Sequence, residues 1–252
     1  MHVPAPHHSV CGPIDRVIAA ARSVCGDAPV DRCLVYAPDA IGLHLCEDYA
    51  SLFEEVARHA LLAVELNALF PPKTPVCFAS MFTGVMPEVH GIRTYERPVL
   101  TCDTIFDALI RAGKSPAIVA AAGASVDLIF RNRAMDYFTE RDDESVTLRV
   151  EELLASGSHD FILAYHSEYD DMLHLTSPRS EKAIHAAEHH VASFCRLARA
   201  VETNWSDCRR AILFTPDHGA HVDPATGKGA HGENIPEDMQ VRHYFGFGCP
   251  RR

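Results

Sequence analysis

RAILFTPDHGAH, residues 210–221, decides how this chain is read. Its first part is a short apolar run without polar alternation, the pattern of a strand buried on both faces. The run breaks at Pro216 and is followed at once by Asp217 and His218, with His221 three residues on. Two other segments repeat the layout. CLVYA, 33–37, runs into Pro38 and Asp39, and DFILAYH, 160–166, into Glu168, Asp170, Asp171 and His174. In open parallel sheets the ligand site lies beyond the carboxyl ends of the strands. The acids and imidazoles of this chain fall at that position.

Around these strands the pattern alternates between helix and strand. Helical spacing over 14–25 stops at Gly26, and 48–69 reads as one long amphipathic helix. A further helix is expected to open at Thr74, and 101–113 reads as a capped helix leading into the strand PAIVAA, 116–121. The stretch 122–144 has no clear period. Helices are expected over 145–156 and 180–203, a Gly/His/Pro-rich loop over 217–237, and a last strand, VRHYFGF, over 241–247. This order predicts an α/β fold, a three-layer α/β/α sandwich with a mostly parallel central sheet. No internal repeat and no Pro-, Gly- or Ser-rich linker divides the chain, so residues 1–252 are expected to form a single domain.

Composition narrows the function. At 252 residues and 47% hydrophobic content the chain can bury a sizeable core. A formal charge of −11 speaks against a nucleic-acid groove, which needs a basic stripe. It leaves anionic substrates open, because bound cations can reverse a local field. No apolar run reaches the roughly 20 residues that cross a bilayer, so no membrane segment is expected. The start, MHVPAPHHSVCGP, has neither a basic head nor an apolar signal core. The nine cysteines are odd in number and scattered, without a CxxC pair, which reads as reduced thiols in a cytoplasmic protein.

Taken singly, the polar residues have ordinary readings. Asp39 suits a turn or a cap, Asp170 and His174 would share one face of a helical turn, and His218, His221 and His231 suit loops. Together, carboxylates and imidazoles after successive strand ends have the ligand mix of Zn²⁺ or Mn²⁺. Two three-ligand sets would leave open positions on both ions, and ions about 3.5–4 Å apart clamp both oxygens of an in-line displacement. Two divalent ions against three Asp make a locally positive site, suited to a small phosphoryl or sulfuryl ester.

KTPVCFASMFTG, 73–84, adds a candidate nucleophile. Thr74 precedes Pro75, which favours the first helical position, so Thr74 is expected to cap the helix. From a helix N-terminus its hydroxyl could also be aimed at an anion. Cys77, the other candidate, lies one turn into an apolar helix and reads as a packing residue.

In chain order these segments resemble the alkaline phosphatase superfamily, and within it the type I phosphodiesterase/nucleotide pyrophosphatase group. PPKTPVCFASMFTGVMPEVHGI, 71–92, is similar to that group's nucleophile segment without a gap, which puts Thr74 at the nucleophilic Thr. In sulfatases of the superfamily the catalytic Cys stands nine residues before the Thr of a Thr-Gly; counting back from Thr83 gives Thr74 again. Thr rather than Cys or Ser there speaks against a sulfatase. VYAPDAIG resembles the first metal-binding strand, SEYDDMLHLTSPRS the Asp-x-x-x-His segment, FTPDHGAH the Asp-His-Gly signature and GAHGENIPEDM the late His-Gly segment.

The resemblance covers about residues 30–240. It implies that Asp39, Asp217 and His218 hold one divalent ion and that Asp170, His174 and His231 hold the other, with His221 the alternative to His231. Zn is the expected metal and Mn the second choice. It also implies an alkaline phosphatase-like domain that hydrolyses phosphoric esters through a phosphothreonine, with a phosphomonoesterase, a phosphosugar mutase or a metal-binding protein without catalysis as alternatives. The sequence departs from the group in three ways. Pro75 removes an N–H that would face the phosphate, and the chain is short, with little room for a cap insertion. The group's Asn about 21 residues after the nucleophile is here Tyr95, whose hydroxyl would have to bind substrate in its place.

Overall fold

The computed structural model describes residues 14–250; the amino-terminal segment read above for a secretory signal, with Cys11, lies outside them. The strands are β1 (Arg32–Pro38), β2 (Leu62–Asn67), β3 (Pro116–Ala121), β4 (Asp136–Glu140), β5 (Phe161–His166), β6 (Arg210–Phe214), β7 (His221–Val222), β8 (Gly229–Ala230) and β9 (Gln240–Gly248). Seven of them form one sheet in the order β2-β9-β6-β1-β5-β3-β4. β1 pairs in parallel with both β5 and β6, while β9 runs antiparallel to its neighbours β6 and β2. The three strands whose ends carry the polar residues are therefore adjacent, at the centre of the sheet.

Their apolar runs are continuous because both faces are covered. Along β1, Leu34 and Tyr36 pack on one face and Val35 and Ala37 on the other. The first face is covered by α3 (Ala50–His59), α8 (Asp143–Ser156), α9 (Glu168–Leu175) and α10 (Glu181–Asn204). The second is covered by α4 (Thr74–Thr83), α6 (Ile105–Arg111) and α7 (Ser125–Ile129). The remaining helices are α1 (Ile14–Cys25), α2 (Leu43–Asp48), α5 (Pro87–His90) and α11 (Pro236–Met239). This is the mostly parallel three-layer arrangement the strand pattern predicts.

Several expectations change. The helix expected over 48–69 ends at His59, and LAVELN becomes the edge strand β2. Ala, Leu and Glu favour helix, but the stretch also alternates: Val64 and Leu66 are buried against Val241 while Ala63, Glu65 and Asn67 face solvent. Pairing with β9 overrides the local preference. The unassigned stretch 122–144 holds α7 and β4, and the loop 217–237 contains the short ribbon β7–β8. Among the described residues no helix is long and apolar enough to cross a membrane.

Candidate active site

Beyond Pro38 the chain turns sharply: Ala40 adopts φ 62°, which is uncommon for a residue with a Cβ. The turn aims the Ala40 N–H at Asp217 Oδ1, 3.2 Å away, and the His218 N–H donates to the same oxygen at 3.0 Å. Asp217 Oδ2 is left without a partner. Asp39 is divided in the same way. Its Oδ2 accepts from Thr74 Oγ1 at 3.2 Å and from the Tyr165 hydroxyl, while its Oδ1 is unpartnered. His218 shares Nδ1 with the Gly219 carbonyl at 3.1 Å, a bond only an N–H can make, so Nε2 carries a lone pair. That lone pair stands 3.5 Å from Asp39 Oδ1 and 3.4 Å from Asp217 Oδ2.

A second set repeats the geometry. Asp170 and His174 are one turn apart on α9, and His231 follows β8. His174 Nδ1 bonds the Gly229 carbonyl at 3.0 Å and His231 Nδ1 the Pro72 carbonyl at 2.8 Å. Their Nε2 atoms lie 3.3 and 3.5 Å from Asp170 Oδ1, which has no hydrogen-bond partner. The rings of His218 and His231 stack with centroids 4.1 Å apart, so the two sets adjoin.

Lone pairs facing carboxylate oxygens repel unless a cation lies between them. Asp39, Asp217 and His218 are all but fully buried, so water does not relieve this. Burial, reinforced by the charges of Asp217 and Asp170, pushes the Asp39 carboxyl well above its usual range. Burial raises Asp217 to about 7 and lowers His218 and His231 to about 3. His174 is half exposed and moves the other way, raised chiefly by the Asp170 carboxylate beside it. Each set has a ligand atom per residue within 4.8 Å of the others, and the donor chemistry fits a divalent ion.

Thr74 is the first residue of α4, and the cap is Lys73, one position earlier than expected, with no side-chain capping bond. The Thr74 hydroxyl therefore does not cap; it donates to Asp39. Cys77 is buried and touches the Leu69 carbonyl through sulfur at 3.8 Å, and burial raises its thiol. His221 lies outside both sets, with Nδ1 2.7 Å from Asp238 Oδ1. Tyr95 is not brought to the site: it is 59% exposed, and Arg97 lies over its ring at 5.7 Å.

Three supporting residues escape sequence reading. Tyr165 orients Asp39. Asp238 is buried and receives the Gly232 and Glu233 N–H groups at 2.8 Å each, which fixes the turn after His231. Lys73 donates to the His231 carbonyl at 2.6 Å. Only Tyr165 leaves a trace in sequence, through its place on a strand end opposite in face to His166. Gly219 has a clear reason: a Cβ there would stand 2.0 Å from the Glu237 carbonyl oxygen.

A sheet of this order, layered with helices on both faces and carrying acids and imidazoles beyond its central strands, is the alkaline phosphatase-like fold. Solved structures share it. Murine ectonucleotide pyrophosphatase/phosphodiesterase 5 matches with a TM-score of 0.58 and 18% identity, over 75% of this chain and 57% of its own. Phosphonoacetate hydrolase from Sinorhizobium meliloti 1021, in complex with phosphonoformate, matches with a TM-score of 0.57 and 16% identity, over 76% of this chain and 57% of its own. The 2-O GAG sulfatase BT1596 matches with a TM-score of 0.58 and 13% identity, over 88% and 65%. All three are alkaline phosphatase superfamily proteins. The match thus takes in little more than half the length of the first two. No family model matches the chain, and neither does any curated protein.

Proposed function

We propose that this chain is a two-metal hydrolase of small phosphoric esters, of phosphodiesterase or pyrophosphatase type, acting in the cytoplasm as a single catalytic domain with Thr74 as nucleophile. One observation carries the reading: Asp39 Oδ1, Asp217 Oδ2, His218 Nε2 and Asp170 Oδ1 are buried and unpartnered together, beside a Thr hydroxyl 3.2 Å from Asp39 Oδ2. Zn²⁺, or Mn²⁺ as second choice, held by Asp39, Asp217 and His218 and by Asp170, His174 and His231, would supply Lewis acidity toward the phosphoryl oxygens. The known structures support a small anionic substrate, since an inactive variant of the murine protein was solved with AMP and the hydrolase with phosphonoformate. The eight cysteines among the described residues are free, which supports a reducing compartment.

Thr74 Oγ1 attacks phosphorus in line, and its proton leaves along the hydrogen bond to Asp39. The bond from phosphorus to the leaving oxygen breaks, that oxygen takes up a proton, and a phosphothreonine remains. Water then cleaves the phosphorus–Oγ1 bond, returning the Thr74 hydroxyl and releasing the phosphoryl product. Tyr165 holds Asp39 in place through both half-reactions.

A phosphomonoesterase or phosphosugar mutase is the second reading. The observation that favours it is Tyr95, which stands where the diesterase Asn is expected and is turned to solvent. The test compares bis(p-nitrophenyl) phosphate with p-nitrophenyl phosphate on protein reconstituted with Zn²⁺ or Mn²⁺. Faster metal-dependent release from the diester is the expected result, and a monoester preference selects the second reading. Full turnover by Thr74→Ala removes the nucleophile assignment. Metal uptake without turnover of either ester leaves a metal-binding protein that has lost catalysis.

A further inference from the structure

Lys73 sits between the two halves of the site. It precedes Thr74 in the chain, and its ammonium reaches across to the segment that carries His231. The side chain lies flat on that segment: a Cβ on Gly232 would stand 2.6 Å from both Lys73 Cε and Nζ. Gly232 also has φ +123°, a conformation that residues with a Cβ rarely adopt. Gly at 232 thus leaves the room that the lysine fills.

Among the described residues the ammonium makes a single hydrogen bond, to the His231 carbonyl at 2.6 Å, and no carboxylate pairs with it. An ammonium has three N–H donors, so two remain. A half-buried cation without a counter-charge, next to two sets of cation ligands, is electrostatically unfavourable until an anion arrives. The carboxylates cannot serve, because their free oxygens face the imidazoles. The anion that meets both metal sets and the Thr74 hydroxyl is the phosphoryl group.

We propose that Lys73 is the anion-holding residue of this site, giving one of its remaining donors to a non-bridging phosphoryl oxygen; the inference rests on the hydrolase reading above. Charge grows on those oxygens as the phosphoryl group transfers, so a donor fixed there favours the transition state. The bond to the His231 carbonyl is what fixes it. Lys73 carries no proton in the reaction; it binds and orients.

The experiment measures inorganic phosphate binding to Zn²⁺-loaded protein by calorimetry, with metal content per chain determined on the same samples. Lys73→Met is expected to weaken phosphate about ten- to a hundredfold, the size of one charge-assisted hydrogen bond, with unchanged metal content. Lys73→Arg is expected to restore most of the affinity, because it keeps the charge. Unchanged phosphate affinity in Lys73→Met overturns the proposal. So does a parallel loss of metal, which would make Lys73 only a support for His231. Wild-type protein that takes up metal but no phosphate overturns the hydrolase reading, and this inference with it.

Discussion

Buried imidazoles gather in two regions of this molecule, and they differ in where their open lone pairs go. Behind β5, on the opposite face from Tyr165, His166 and His190 surround Tyr36. There His190 Nε2 accepts from the Tyr169 N–H at 3.1 Å and its Nδ1 bonds the Tyr36 hydroxyl at 3.2 Å. His166 Nε2 pairs with Thr147 Oγ1 at 3.0 Å, and its ring stacks on Tyr36 with centroids 4.4 Å apart. The nearby carboxylate, Asp143, is spent on the N–H groups of Ser167 and Glu168 at 3.1 and 2.9 Å. A single atom, His166 Nδ1, is left over. In the candidate site each imidazole turns one nitrogen to a carbonyl and the other to a carboxylate, so free atoms converge. Residue type is the same in both regions, and so is burial apart from half-exposed His174. Convergence of unpartnered atoms is what separates the candidate ligand sets from a packed core.

The largest effects test the ligand side. Thr74→Ala is expected to lower turnover at least about a thousandfold with metal content unchanged. Asp217→Asn sharpens the contrast further. Its Oδ1 keeps the Ala40 and His218 N–H bonds, and its new amide points at the His218 Nε2 lone pair 3.4 Å away. Metal uptake should fall by one ion per chain, while the metal-free protein becomes more stable by about 1–2 kcal/mol, because a buried repulsion becomes a hydrogen bond. A chemical-denaturation series on metal-free protein measures this. If Asp217→Asn destabilises it, the converging atoms are not the strained feature described here.

The second region should answer in the opposite sense. His190→Leu is expected to leave metal content intact and cost about 1–3 kcal/mol, since the Tyr169 N–H and Tyr36 hydroxyl lose their partner. Burial lowers His166 and His190 to about 3. Depressed values mean neutral rings in the fold, so their contribution is present above the unfolded value of about 6.5 and is lost as pH falls toward 3. The urea midpoint of metal-loaded protein should therefore drop between about pH 6.5 and 4, and less steeply in His190→Gln. Equal slopes would mean that His190 is already charged in the native state.

Much of this contrast is legible in the sequence, because an apolar run ending in acids and imidazoles marks both a buried strand and the end at which the candidate site lies. Asp39, Asp170 and Asp217 are singled out that way, and the fold brings them to the two candidate sets. What stays hidden depends on partners distant in the chain. LAVELN reads as helix until β9 pairs with it. Lys73 looks like an ordinary residue before a helix until it meets His231, 158 positions away. Asp238 looks like a surface acid of a short helix until the turn after His231 closes on it. The opening of a helix near Thr74 is legible in the sequence, but the cap falls on Lys73, and whether the Thr74 hydroxyl caps the helix or faces Asp39 depends on the tertiary fold.

The smallest expected effect concerns the residue where motif and geometry part. Alignment with the phosphodiesterase pattern puts Tyr95 at a phosphoryl-binding position, yet its ring is exposed beneath Arg97 and no hydrogen bond ties its hydroxyl to Thr74 or to either ligand set. An exposed side chain of this kind is worth within about 0.5 kcal/mol, so Tyr95→Phe should change kcat/KM by less than about threefold. A hydroxyl that donates to the phosphoryl group would instead cost about tenfold or more when removed. Steady-state kinetics on the diester and the monoester decide between these. A loss confined to the diester would mean that the segment around Tyr95 folds over the larger substrate, and that the position of the missing Asn has been taken over by the phenol.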